Sequence, residues 1–157
     1  MKAAFSPSYE KPSRAWLRAL EIVARATQDP HRILPRAVDE WGERYGEKPA
    51  LMSQRETFTF AELAERKTVY ARWALKRGLA RGETVALMMR NRPDYFALWL
   101  GLSEVGVVAA LVSPDLAAPA LAHALKVSRA KLLIVDPALV EVARAAEIEV
   151  LPHEGRD

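Results

Sequence analysis

Apolar residues along this chain switch between two spacings. At 14–28, RAWLRALEIVARATQ places Trp16, Leu17, Leu20 and Val23 or Ala24 at helical intervals, with Arg14, Arg18 and Arg25 mainly off the stripe. Ser13 stands where a cap would sit. A second helix is expected from Asp29 and Pro30 to Tyr45, with Ile33, Leu34, Ala37, Val38 and Trp41 on its apolar face and Gly46 as a left-handed stop. Short strands follow at 49–53 and 57–58, joined by a turn at 54–56.

Thr59 and Glu62 have the spacing of a capping box, and Phe58 and Leu63 occupy the two positions of a hydrophobic staple. A helix is therefore predicted from Phe60 to near Lys76, turning Leu63, Tyr70, Trp73 and Ala74 inward and ending at Gly78. After the turn at 81–83, the pattern changes. TVALMM (84–89), VVAALV (107–112) and LLIV (132–135) are apolar without alternation, as strands covered on both faces are. Helices are expected between them near 93–105 and 119–127, then from Asp136 and Pro137 to about Ala146, with a last strand at 148–151. Strand and helix in alternation predict an α/β fold: a mostly parallel sheet flanked by helices. The expected organisation is a flexible arm (1–12), a helical segment (13–46), a partial α/β subdomain (47–152) and a polar tail (153–157).

Composition narrows the chemistry. Half of the 157 residues are hydrophobic and 27% are charged, which suits a globular protein with a real core. A formal charge of +3, with no basic aromatic tract, gives no case for nucleic acid. The sequence contains no cysteine, so disulfides and thiolate chemistry are excluded. No apolar run reaches the roughly 18 residues of a membrane span, and no signal-like segment follows Lys2, so a cytoplasmic location is expected. The 13–27 helix admits two readings, one lying on an anionic membrane surface and one packed on its own domain. Glu21 and its shortness favour the second.

Candidate reactive groups have local explanations. His31, His123 and His153 are scattered and read as surface or capping residues. Gly101 and Gly106 have P-loop spacing, but Val107 and Val108 follow instead of Lys and Ser or Thr. Gly106 is read as a helix stop. Ser53, Ser103, Ser113 and Ser128 lack a nucleophile-elbow setting. Asp115 and Asp136 follow strands, where α/β proteins often bind ligands, but each also precedes a helix that it can cap. The run Asn91, Arg92, Pro93 and Asp94 reads as helix initiation, with Arg92 touching phosphate as the minor alternative. No catalytic, cofactor-binding or metal residue is assigned.

Two segments carry a resemblance. FTFAEL (58–63) and LSEVGVVAALVSPD (102–115) are similar to the first two core motifs of the adenylate-forming ligases. NRPDYFALWLGLSEVGVVAAL (91–111) resembles most closely the branch of fatty acid transport proteins and very-long-chain acyl-CoA synthetases; SRAWLRALE (13–21) and LAHAL (121–125) look like it too. The likeness runs from Ser13 onward. It implies the N-terminal subdomain of that fold, incomplete here. It also implies an enzyme that makes an acyl-adenylate from a fatty acid and Mg·ATP, then passes the acyl group to coenzyme A. The family's threonine- and glycine-rich phosphate loop and its later motifs are absent from the sequence, so no catalytic residue carries over. Ser113, Pro114, Asp115 and Leu116 stand where the branch usually has an Asn-Thr-Asn-Leu run. The chain is thus expected to be catalytically incompetent alone. Its expected partner is the remainder of a ligase, or a second copy joined through exposed apolar surface.

Overall fold

A computed structural model describes residues 11–29, 31–144 and 146–154. The chain divides into two compact units, 1–33 and 34–157. In the first, α1 spans Pro12–Gln28. Lys11 takes the N-cap position and Pro12 the first turn, where a missing N–H costs nothing; Ser13 is inside the helix and caps nothing. Trp16, Leu17, Leu20 and Val23 are all exposed. Most of the arm expected at 1–12 lies outside the described residues.

The second unit begins with α2, Leu34–Tyr45. It starts later than the Asp29-Pro30 signal suggests: Asp29 ends α1 instead, and its carboxylate accepts from the His31 amide at 2.8 Å. Strands β1 (Pro49–Met52) and β2 (Thr57–Thr59) form an antiparallel pair. Next comes α3, Phe60–Lys76, opened by both halves of the capping box: Glu62 N to Thr59 Oγ1 at 3.1 Å, and Thr59 N to Glu62 Oε2 at 2.9 Å. Phe58 and Leu63 are buried in one cluster. Removing the hydroxyl with Thr59→Ala should cost about 1 kcal/mol in urea unfolding, with unchanged denaturant sensitivity. A loss below experimental error would show the box to be idle.

The main sheet has four parallel strands in the order β4-β3-β5-β6: β3 Thr84–Met88, β4 Val108–Leu111, β5 Ala130–Val135 and β6 Glu149–Pro152. Helices α4 (Pro93–Glu104), α5 (Ala118–Ser128) and α6 (Val140–Ala143) connect them. β4 and β5 flank β3 on opposite sides, so the connecting helices fall on opposite faces. Val85 and Leu87 of β3 pack with Leu63, Leu98 and Leu102 of α3 and α4. The alternate residues Ala86 and Met88 pack with Leu121, Leu125 and Ala143 of α5 and α6. This two-sided burial is why β3 and β5 show no polar alternation, and each fully buried leucine or valine contributes roughly 1.5–3 kcal/mol.

Two helices end in the same way. After α3, Gly78 takes φ 78°, with Gly78 N bound to Leu75 O and Leu79 N to Ala74 O. After α4, Gly106 takes φ 79°, with Gly106 N bound to Ser103 O and Val107 N to Leu102 O. Both are Schellman motifs, which need a residue free of a Cβ at the left-handed position. The segment after β5 departs from the expected helix to Ala146: it forms one 3-10 turn, Pro137–Leu139, and then the single turn of α6. Asp136 does not cap it by its side chain.

Candidate functional site

The carboxyl ends of β3, β5 and β6 lie side by side, and β3 is the strand at which chain order reverses. Ligands of open α/β sheets favour that place. Here the loops leaving the strands meet the N-terminus of α4. Pro93 opens α4 in its first turn, which sets Asp94 on the inner face, fully buried.

Asp94 is a hub. Its Oδ1 accepts from Arg66 Nε at 2.7 Å, and Tyr70 OH lies 2.6 Å from both carboxylate oxygens. His153 Nε2 lies 2.6 Å from Oδ2 and 3.0 Å from the Tyr70 oxygen. Because Tyr70 donates to the carboxylate, the Nε2–H of His153 is the matching donor to Asp94. Arg66 stacks over the Tyr70 ring, 4.9 Å from its centroid. Burial alone would raise the Asp94 carboxyl. Hydrogen bonds from His153, Arg66 and Tyr70, with the Arg66 charge, outweigh it and hold Asp94 well below the ordinary carboxylate range. Burial, then the hydrogen bond to Asp94 and its charge, push the Tyr70 phenol far above its usual value. Both shifts thus move the titrations further from pH 7. A charged acceptor and a neutral donor locked together suit a clamp; proton transfer near pH 7 needs the opposite arrangement.

A second pair adjoins it. Asp136, at the end of β5, accepts from Arg90 N at 2.7 Å, and its own amide donates to Met88 O, tying β5 to β3. Arg92 Nη2 donates to His153 O at 3.0 Å and sits 3.2 Å from Asp136 Oδ1. The latter contact is a charge pair without hydrogen-bond alignment, so Asp136 Oδ1 and Arg92 Nε keep unused bonding capacity. Beside the clamp, Tyr70, Trp73, Leu98, Ile134, Leu151, Pro152 and His153 line a cleft of about 240 Å³.

His153 was placed in a polar tail, yet its amide continues the ladder onto Val135 O and its ring enters the clamp. His31 and His123 are exposed. Asp115 is exposed and caps no helix: Ala117 holds the N-cap position of α5. Its amide instead meets Ser113 Oγ at 3.3 Å. Asp136 serves the Arg90 and Arg92 contacts instead of a cap. Ser103 and Ser128 donate to carbonyls of their own helices, and Ser53 closes its local turn. Gly101 lies within α4, against the backbone of α3, and so lines no phosphate loop. Among the described residues no group of three or more His, Cys, Asp or Glu is arranged for a metal, and no helix is long and apolar enough to cross a membrane. The glycines at left-handed φ, Gly46, Gly78, Gly82 and Gly106, sit at helix ends and turns.

Missed from sequence was Lys67, fully buried in α3, which donates to Asp39 Oδ2 (3.0 Å) on α2 and Glu104 Oε2 (2.8 Å) on α4. It falls in the apolar stripe, four residues after Leu63 and three before Tyr70. That misplacement of a charge was the signal.

Comparison with known proteins gives consistent relatives. The family described as AMP-binding enzyme matches residues 38–156. Long-chain fatty acid transport protein 1 of Rattus norvegicus is 35% identical over 132 residues, covering 79% of this chain and 20% of the relative. A long-chain-fatty-acid–CoA ligase of Salmonella typhimurium is 29% identical over 125 residues, covering 78% and 22%. Among solved structures, the NpsA N-terminal subdomain of Klebsiella oxytoca, in complex with 3-hydroxybenzoyl-AMSN, superposes with a TM-score of 0.69 at 25% identity, covering 76% of this chain and 30% of that one. VinN, at 20% identity and a TM-score of 0.73, shares the fold. The chain spans about a fifth of the length of the curated relatives it matches.

Proposed function

We propose that this chain, which belongs to the AMP-binding enzyme family, is the N-terminal portion of an ATP-dependent long- or very-long-chain fatty acyl-CoA synthetase. It is related to fatty acid CoA ligases, and its α/β fold is that of the N-terminal subdomains of adenylate-forming enzymes. One observation carries the finer reading: the family match runs through nearly all of the second unit, while the buried Asp94, Tyr70 and Lys67 of that unit are committed to holding helices and strands together. Its role is to scaffold. The Asp94 clamp fixes the start of α4 and the end of β6 at the sheet's carboxyl edge, which positions polypeptide leaving that edge.

In the whole ligase, ATP, magnesium and coenzyme A supply adenylation and thioester formation. Within this chain, Tyr70, His153 and Arg66 hold a proton-free carboxylate in place. The isolated 157-residue chain is expected to show no pyrophosphate exchange and no acyl-CoA formation with ATP, magnesium, coenzyme A and palmitate. A chimera carrying this chain in place of the matching segment of the Salmonella ligase is expected to fold and make acyl-CoA. Turnover by the isolated chain would refute the scaffold reading, and a folded but inert chimera would refute the synthetase assignment.

A further inference from the structure

The apolar residues of α1 wrap around most of the helix. Trp16, Leu17, Leu20, Ile22 and Val23 are between 47% and 67% exposed. Successive residues of an α-helix turn by about 100°. Ile22, Val23, Trp16, Leu20 and Leu17 therefore follow one another around the axis over an arc of roughly 220°, with Ala15, Ala19 and Ala24 between them. The remaining side holds Glu21, Arg14 and Arg18, all exposed.

The width of the arc and the sign of the charge together point to what covers it. A helix packed on a globular core needs an apolar stripe about 100° wide. An arc of twice that width is more than one protein face covers. A coiled-coil seam is too long for α1: such seams run for about three to four heptads, whereas α1 has 17 residues. A bilayer interface, by contrast, meets a helix on its flanks as well as underneath. From Lys11 to Ala24 the chain carries three cations, Lys11, Arg14 and Arg18, and one anion, Glu21. That balance suits anionic headgroups.

We propose that α1 lies in the surface of an anionic membrane. Trp16, Leu20 and Val23 enter the boundary between headgroups and acyl chains, and Arg14 and Arg18 stand at the level of the phosphates. The two features that favour packing on the domain do not oppose this. Glu21 follows Arg18 by three residues and shares the arginine side, so it stays in water. Length does not discriminate, because an interfacial helix has only to immerse one side and not to cross the bilayer.

Flotation of the full chain with phosphatidylcholine vesicles, with and without phosphatidylglycerol, tests the assignment. Binding should be strongest with the anionic lipid, weaker with phosphatidylcholine alone, and weaker again as salt rises. Arg14→Gln and Arg18→Gln should each reduce it about fivefold, the effect of one cation beside a charged surface. Trp16→Ala with Leu20→Ala keeps good helix formers in place and should reduce it at least about tenfold. Met52→Glu, at an apolar residue of β1 that is 74% exposed, should leave binding unchanged. Circular dichroism checks that each variant keeps its helix content.

No binding to anionic vesicles, equal binding to both vesicle types, or equal loss in Met52→Glu would each overturn the proposal. So would a Trp16→Ala, Leu20→Ala chain that binds as well as the unmodified one. A mass that rises with concentration in the absence of vesicles, and is returned to the monomer by those two substitutions, would overturn it in favour of a second copy. None of these readouts requires acyl-CoA formation, so they are separate from the synthetase assignment.

Discussion

Gly101→Ala is expected to destabilise the second unit by about 3 kcal/mol, at the top of the usual range for overpacking, and to lower its melting temperature by roughly 10 °C. Gly101 of α4 lies directly against the backbone of α3. A Cβ there would lie 2.5 Å from Lys67 O, 2.6 Å from Tyr70 Cβ and 2.9 Å from Ala71 N. Two of these atoms are backbone, so no rotamer change relieves the clash. The helices must separate, and separation also stretches the Lys67 contact to Glu104. Urea unfolding followed by circular dichroism measures the effect. A loss below about 1 kcal/mol would mean that the crossing yields without strain.

Asp94→Ala is expected to cost about 4 kcal/mol, the usual result of removing one member of a buried ionic cluster. The substitution takes a shared buried acceptor from Arg66, Tyr70 and His153 together. It should also reshape the pH profile. The Asp94 carboxyl titrates lower in the folded protein than in the unfolded chain. Its contribution is therefore complete above about pH 4 and is lost as pH falls. The Tyr70 phenol titrates higher when folded, so its contribution is complete below about pH 10 and is lost as pH rises. Stability measured from pH 2 to pH 11 should lose the acid limb in Asp94→Ala and keep a weakened alkaline limb, because burial, the larger cause of the Tyr70 shift, remains. An unaltered acid limb would remove the clamp from the account of folding.

The elements that could be read in advance are those whose cause is local. Thr59 and Glu62 are three residues apart, so the start of α3 was legible, as were the stops at Gly78 and Gly106. The run from Val85 announced a strand buried on both faces. The end of α5 offered no such sign, because a non-glycine residue, Arg129, takes the left-handed turn at φ 53°. The brevity of the helix after Asp136 was hidden for a similar reason: its cap residue is drawn to Arg90, which is 46 positions away. The clamp was invisible on the same principle. Asp94 had a sufficient local explanation at the N-terminus of α4. Its partners Tyr70, Arg66 and His153 are 24, 28 and 59 positions distant, and nothing in spacing or periodicity links them.

The sheet order has a consequence for biogenesis. β3 is made first, acquires β4 on one flank, and stays bare on the other until Val135 has been synthesised, because β5, made third, is its neighbour there. A ribosome delivers the chain amino end first, so the β3 backbone groups that later meet β5, the Met88 carbonyl among them, present a sticky flank throughout that interval. The nascent polypeptide's most vulnerable period is therefore set by the translation time of residues 112–135, and chaperone capture would be most useful while they emerge.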